Sequence, residues 1–195
     1  MLAYVIEQVS GRSYADYLQN ELFLKANMQH TFYKPDLKAG PALAYSGIGT
    51  ANIQALANAD YHSSWIVGAG NMYSTTSDLA IFYKALFSNQ FFSEKTTQLM
   101  LDTCIATPSQ GIKWALGWSK FQLDDLTCYS HSGNDNGCST KITYIPSQNI
   151  YIIILSNLSR DIKNESLNGA KFSFVDDISD QVVKLLNLTH NCLTK

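Results

Sequence analysis

Three adjacent residues, His131-Ser132-Gly133, could carry chemistry at the end of a predicted strand. They offer an imidazole, a hydroxyl and a stretch of backbone that another chain can approach closely, because glycine has no side chain. A peptide N–H just past the glycine, such as that of Asn134, could donate to an oxygen that gains negative charge during acyl transfer. Taken alone, a histidine near a turn is more often a surface residue that forms hydrogen bonds.

Two further residues are candidates for contact with a substrate. Asp135 could bind a substrate amine, or it could simply form the turn after the strand. His62 lies in a long predicted loop and could contact a substrate or form local hydrogen bonds. No cluster of His, Cys, Asp or Glu has the spacing of metal ligands, so we expect neither a metal nor another cofactor.

Composition and charge limit the classes of partner. The chain has 195 residues, a net charge of −2 and 15% charged residues, which suits one globular domain without a basic surface for nucleic acid. The longest apolar run, residues 150–155, is far shorter than the roughly 20 residues that span a membrane. The first residues lack the basic region of a secretory signal, so the cellular compartment stays open.

The four cysteines do not have the spacing of a zinc knuckle or of a redox motif. Cys128 and Cys138 flank a predicted turn and could face each other on adjacent strands. A disulfide and a pair of buried free thiols both remain possible there.

Periodicity predicts helices in the first part of the chain. An apolar stripe over residues 2–10 ends at Gly11, and Ser13 is expected to cap a second helix over residues 14–24. Residues 33–64 are rich in proline and glycine, which predicts a long ordered loop of the kind that serves a site.

Gly68-Ala69-Gly70 marks a tight passage of the backbone before the next helix. Thr76 or Ser77 is expected to cap that helix, and Ser93 a shorter one that runs through Leu101.

A period of two then replaces the helical period. Strands are predicted at residues 114–123, 127–131, 139–145 and 150–157, and a hairpin turn at residues 146–149. The last strand is apolar on both faces, which predicts a central position in the sheet. A closing helix is predicted with an apolar stripe of Val175, Ile178, Val182, Leu185 and Leu186. The order of helices, antiparallel strands and helix is an α+β plan.

Several segments, in this order, resemble the serine β-lactamase-like hydrolases, which include class C β-lactamases, D,D-carboxypeptidases, D-aminopeptidases and related esterases. Residues 4–18 resemble a helix pair of that family. Gly68-Ala69-Gly70 through Asp78-Leu79-Ala80 resembles its "AGG-x-x-S-T-x-x-D-L-A" segment. His131-Ser132-Gly133 with Gly137 resembles its third motif, "H-x-G-x-x-x-G". The remaining matches are Phe23-Leu24 with Asn27-Met28 and Thr31, Leu116-Gly117-Trp118, Tyr144-Ile145-Pro146, and Leu155-Ser156-Asn157.

The resemblance implies the C-terminal part of the β-lactamase/transpeptidase-like fold. It implies a single partial domain, with a mainly helical part at 1–105, antiparallel strands at 106–160, and a linker with a closing helix at 161–195. It also implies that His131, Ser132, Gly133 and the Asn134 backbone bind substrate and supply an oxyanion donor on an edge strand. His62 would lie in the loop that borders the pocket.

The nucleophile of that family is missing from these 195 residues. No serine has a lysine three positions later, and no Tyr-x-Asn sequence occurs. In the family a Ser-x-x-Lys serine attacks the carbonyl, while the lysine and the tyrosine move the proton. Both motifs lie upstream of the helix on which this chain begins, so we expect a C-terminal portion that is inactive alone.

Two hypotheses remain for the function. In the first, the chain is a truncated serine hydrolase whose parent reaction cleaves an amide or ester, with a β-lactam, a D-amino-acid peptide or an ester as substrate. Histidine rather than lysine in the third motif favours an esterase or peptidase parent. In the second, the chain is a non-catalytic interaction module that associates through an exposed sheet edge.

Overall fold

The structure, a computed structural model, describes residues 1–33, 42–46, 54–55, 67–107, 111–135, 137–158, 162–163, 171–172 and 174–193. The chain divides into two compact units: Met1–Leu43 with Ala57–Ser88, and Ala44–Leu56 with Asn89–Lys195. His62, the expected loop residue, lies outside the described residues. None of the described helices is both long and apolar enough to cross a membrane.

The first unit begins with two helical segments. Helix α1 (Leu2–Ser10) ends at Gly11, whose φ of 67° provides the left-handed stop that the sequence predicts. Ser13 caps the next helix by accepting the N–H of Asp16, which confirms the predicted cap. The Glu7 carboxylate accepts the N–H of Tyr14 at 2.9 Å and so links the two helices.

The second helical segment is longer and less regular than predicted. It runs through α2 (Tyr14–Tyr17), a π-helical turn at Leu18–Phe23 and α3 (Leu24–Ala26). The π-helical turn places Leu18 and Phe23 together in the buried interior. Asn27 then ends the segment in a left-handed conformation.

Strand β1 (Phe32–Tyr33) pairs with β4 (Met72–Tyr73), and helix α4 (Thr76–Phe87) follows. Thr75 caps α4 by accepting the N–H of Asp78, so the expected cap at Thr76 or Ser77 was wrong by one or two residues. The tight passage at Gly68 is confirmed, since an added Cβ would lie 2.9 Å from the Cβ of Ala3. Glycine therefore lets this backbone lie against α1.

The buried Asp78 carboxylate joins two distant parts of the first unit. It accepts the backbone N–H of His30 and the hydroxyl of Thr31, both at 2.7 Å. These hydrogen bonds hold residues 30–31 against the start of α4, which accounts for an acidic residue in the interior.

The second unit contains an antiparallel sheet of six strands. In chain order they are β5 (Ile105–Ala106), β6 (Ile112–Ala115), β7 (Trp118–Leu123), β8 (Leu126–Asp135), β9 (Cys138–Ile145) and β10 (Ile150–Ser156). The spatial order is β10-β9-β8-β7-β6-β5, so neighbours in sequence are neighbours in the sheet. Residues in the left-handed conformation shape the turns: Gly117, Asp124, Gly137 and Asn149.

Two strand predictions need correction. Residues 114–123 form parts of two strands rather than one, because the chain turns at Gly117, where φ is 83°. Strand β10 was expected at the centre of the sheet, but it lies at one edge of the six described strands. Its side chains from Ile150 to Ile154 are half-buried rather than fully covered.

The second unit also contains helices α5 (Glu94–Asp102) and α6 (Phe174–Leu193). It has two short strand pairs: β2 (Tyr45–Ser46) pairs with β3 (Gln54–Ala55), and β11 (Ile162–Lys163) pairs with β12 (Lys171–Phe172). Ser93 caps α5 as predicted. Helix α6 packs on β9 and β10. The core between α6 and the sheet contains Leu126, Cys128 and Ile145 of the strands and Val183 of the helix.

The stripe predicted for α6 was partly wrong. Ile178 and Leu185 are exposed, whereas Val175, Ser179 and Val183 are fully buried. A serine enters this buried face because the hydroxyls of Ser179 and Thr143 form a 2.8 Å hydrogen bond. The face that α6 buries is therefore shifted around the helix axis from the predicted apolar stripe toward its polar side.

Candidate active-site strand

The third-motif residues lie in the second half of strand β8. Its first half, Leu126 to Ser130, pairs with β7, and Tyr129 and Ser130 at its end pair with β9 as well. Pairing with β7 ends at Ser130, and over His131–Asp135 the strand partner in the described chain is β9 alone. The motif therefore begins at the residue where β8 loses its second neighbour.

Exposure changes at the same place. Tyr129 and Ser130 are buried, whereas His131, Ser132 and Asn134 are exposed and Gly133 is half-buried. The imidazole and the hydroxyl of the motif are thus accessible, as substrate-binding groups must be.

Side chains alternate along a strand, so His131 and Ser132 point to opposite faces of the sheet. Ser132 shares its face with Ser130 and with Lys141, since all three line one cavity. Tyr129 and Gly133 share the face of His131. The two polar side chains of the motif therefore flank the strand instead of converging on one point.

Gly133 has a packing role in this structure. A Cβ added there would lie 2.8 Å from the side-chain Oγ1 of Thr140, its partner on β9. The absence of a side chain at Gly133 therefore makes room for Thr140. The close approach of a substrate, which the sequence predicts, would be a separate role of the same glycine.

The turn after the motif is fastened to other parts of the second unit. The N–H of Tyr45 donates to the carbonyl oxygens of Asn157 at 2.8 Å and of Gly137 at 3.4 Å. Asp135, the last residue of β8, is half-buried opposite Cys138. Burial raises the pKa of the Cys138 thiol, and the nearby Asp135 carboxylate raises it further.

The sequence reasoning missed a buried ion-pair cluster beside the motif. Lys141 lies directly opposite Ser132 on β9, and its side chain is only 8% exposed. Its Nζ lies 3.1 Å from Oδ1 of Asp176 and 3.2 Å from Oδ1 of Asp180, both on α6. A lysine in the middle of a predicted strand was the available signal, because a buried ammonium needs acidic partners.

The thiols of the sheet are reduced. Cys104, Cys128 and Cys138 are free, so the disulfide considered between Cys128 and Cys138 is absent. Cys128 pairs with Phe121 on β7 and Cys138 with Asp135, which places the two thiols at different ends of β8. Burial raises the pKa of Cys128 to about 11, so this thiol is a poor nucleophile.

Comparison with known proteins places these features in a family. A family model described as Beta-lactamase matches residues 1–170. Putative penicillin-binding protein PbpX from Bacillus subtilis (strain 168) is 26% identical over 178 residues, which cover 90% of this chain and 42% of that protein. Penicillin-binding protein 4* of the same organism is 27% identical, with 85% of this chain and 39% of that protein covered. The chain thus spans about two fifths of the length of these curated relatives.

The fold also matches a solved structure. D-amino acid amidase from Ochrobactrum anthropi SV3, complexed with L-phenylalanine amide, aligns with a TM-score of 0.74 at 17% identity and covers 96% of this chain and 55% of that chain. At this identity the match supports the fold, an α+β arrangement with an antiparallel sheet and a closing helix.

Proposed function

Because this chain belongs to the beta-lactamase family, we propose that it supplies the third motif and the oxyanion strand of an acyl-serine hydrolase that cleaves an amide or an ester. One observation carries the proposal. The motif occupies the exposed half of β8, where β7 no longer pairs with the strand.

The geometry suggests how a substrate would bind. An extended acyl chain can lie along the edge of β8 beyond Ser130, in the manner of an added strand. His131 would then contact it from one face of the sheet and Ser132 from the other. The peptide N–H of Asn134 is proposed as a donor to the carbonyl oxygen that becomes an oxyanion. Asp135 and His62 remain proposed contacts for the rest of the substrate.

We propose further that these 195 residues do not form an acyl-enzyme by themselves. Acyl transfer needs a serine with a base beside it, and neither Ser-x-x-Lys nor Tyr-x-Asn occurs in the sequence. Lys141 lies across from Ser132, yet two aspartates already hold its ammonium. It is therefore a poor substitute for the missing base.

A binding experiment tests the substrate strand. The labelled chain is titrated with N-acetyl-D-alanine amide and followed by amide NMR shifts. We expect saturable shifts at residues 131–134 that His131→Ala weakens and His30→Ala, an exposed histidine in the first unit, leaves unchanged. Shifts confined to other residues, or equal effects of the two variants, would contradict the proposed strand.

A labelling experiment tests the inactivity. The chain is incubated with a fluorophosphonate probe, with nitrocefin and with a p-nitrophenyl ester, beside a known serine hydrolase as positive control. We expect no labelled serine and no hydrolysis above the rate of heat-treated chain. Covalent labelling of any serine would overturn this part of the proposal and leave the family assignment intact.

A non-catalytic role is the second candidate, because β10 is an apolar strand at the edge of the described sheet. Such an edge favours the addition of a strand from another molecule. We expect self-association in analytical ultracentrifugation that Leu155→Lys on β10 reduces. Ile105→Lys, on the opposite edge strand β5, is the matched control and should have no effect. A monomer at all concentrations would exclude this candidate.

A further inference from the structure

A cavity on the α6 face of the sheet shares Ser132 with the proposed substrate strand, and its other lining residues have no role in the proposed reaction. It has a volume of about 270 Å³ and lies among β6, β7, β8, β9 and α6. At about 30 Å³ per water, this volume equals roughly nine water molecules, which is enough for a small organic ligand. All of its lining residues belong to the second unit.

The lining combines one charged corner with one apolar wall. Ile112 and Phe121 form the wall, and the serines 119, 130 and 132 add hydroxyls. Lys141, Asp176 and Asp180 form the charged corner. The lining is more polar than that of most small-molecule sites, so a ligand that fits it must itself be polar.

The charges in that corner do not balance. Counted over these three side chains, two carboxylates face one ammonium, a formal charge of −1. Asp176 lies in the first turn of α6, where the positive end of the helix also stabilises it. Asp180 lies one turn further along, and its side chain is 45% exposed. Asp180 is therefore the carboxylate best placed to accept a hydrogen bond from a cation.

The buried lysine adds a second requirement. A lysine ammonium has three N–H donors, and the two aspartates account for at most two. The contacts described for Nζ are those with the two aspartates. Because the side chain is 92% buried, a ligand that displaces water from the cavity needs an oxygen to accept from this donor.

We propose that this cavity binds a small ligand that carries a primary ammonium beside a neutral oxygen, as a vicinal amino alcohol does. The ammonium lies against Asp180, the oxygen accepts from Lys141 and the alkyl group packs on Phe121 and Ile112. A carboxylate in place of the neutral oxygen is disfavoured, since two carboxylates already face the corner. The site does not depend on acyl transfer, so it is tested on the chain alone.

The test is an NMR titration of the labelled chain with leucinol, which has the ammonium, the hydroxyl and a branched alkyl group. Three relatives of leucinol each change one feature. Isoamylamine lacks the hydroxymethyl group, isohexanol lacks the amine and leucine carries a carboxylate in place of the hydroxymethyl group. We expect saturable shifts around Ser132, Lys141 and Asp180 with leucinol, binding about tenfold weaker for isoamylamine, and no saturation for isohexanol or leucine.

Two variants locate the cation. Asp180→Asn should weaken leucinol binding about tenfold. Asp177→Asn, which removes the same charge from an exposed position of the same helix, should leave binding unchanged. If Asp180→Asn fails to fold, the ligand series on the unaltered chain still decides the question. The proposal is overturned by tighter binding of leucine, by equal binding of isohexanol, by equal effects of the two variants, or by no saturable shift with leucinol.

Discussion

Strand β8 joins two halves that share a backbone conformation and differ in environment. Leu126 to Ser130 all pair with β7, Tyr129 and Ser130 pair with β9 as well, and four of these five side chains are buried. From His131 to Asp135 none is buried, and the described strand partner is β9 alone. One half of the strand belongs to the core, and the core fixes the position of the half that can bind.

The largest effect should come from a truncation in the core half. Leu126→Ala removes a buried side chain beneath α6 and should lower the free energy of unfolding by about 2–5 kcal/mol. Ser132→Ala, in the exposed half, should change it by less than about 0.5 kcal/mol. Urea denaturation measures both. Equal losses would show that the two halves do not differ in their contribution to stability.

The thiols of Cys128 on β8 and of Cys138 at the start of β9 give a second comparison. Alkylation of Cys138 by iodoacetamide should be more than about a hundredfold faster than that of Cys128, because Cys128 reacts only when the core opens. Peptide mapping by mass spectrometry after timed quenching measures both rates. Similar rates would mean that the core around Cys128 opens freely.

The same thiol gives a pH dependence. The pKa of Cys128 is raised to about 11 in the folded chain, above an unfolded value of about 8.5. The neutral thiol favours the fold, so its contribution is complete below the unfolded pKa and is lost as the pH rises toward the folded pKa. The free energy of unfolding should therefore fall more steeply above about pH 8.5 in the unaltered chain than in Cys128→Ala.

The contrast between the two halves of β8 does not extend to β9. Lys141, which lies opposite Ser132 of the exposed half, is itself buried in an ion-pair cluster. Lys141→Met leaves two aspartates without their cation and should lower the free energy of unfolding by about 2 kcal/mol. This loss is smaller than for a fully buried pair because Asp180 is partly exposed. The surface pair of Lys25 and Glu21 provides the control, and Lys25→Met should change the stability far less, because water screens an exposed pair. Thermal unfolding distinguishes the two losses.

The smallest effect concerns Gly133. Gly133→Ala places a Cβ against Oγ1 of Thr140 and should cost about 1 kcal/mol. Thr140→Ala in the same chain should restore most of that loss, as a double-mutant cycle would show. A cost that persists in the double variant would point to the backbone instead of to this contact.

Much of the fold was predictable because local signals determine it. Gly11, Ser13 and Ser93 end or begin helices as expected, since their effects depend on neighbours a few residues away. The hairpin at residues 146–149 is confirmed for the same reason, with Asn149 in the left-handed conformation. The order of the strands followed from the turns between them.

The rest depended on distant partners. The apolar character of Ile150–Leu155 indicates burial, and nothing in the strand itself says whether its neighbours are strands or other segments. The face that α6 buries is set by a hydrogen bond between Ser179 and Thr143, 36 residues apart. Lys141 was visible in the sequence, but its two acidic partners lie on another element. The motif itself was found, while the division of His131 and Ser132 between two faces required the strand.

A row of side chains across the sheet provides an optical signal. Lys120, Tyr129, Tyr144 and Tyr151 occupy matching positions on four successive strands. The rings of Tyr144 and Tyr151 stack with centroids 4.7 Å apart and planes inclined by 10°. Two tyrosines held this close couple their electronic transitions, so near-ultraviolet circular dichroism would report whether β10 stays on the sheet. A partner that adds to the outer edge would preserve the signal, and one that displaces β10 would abolish it.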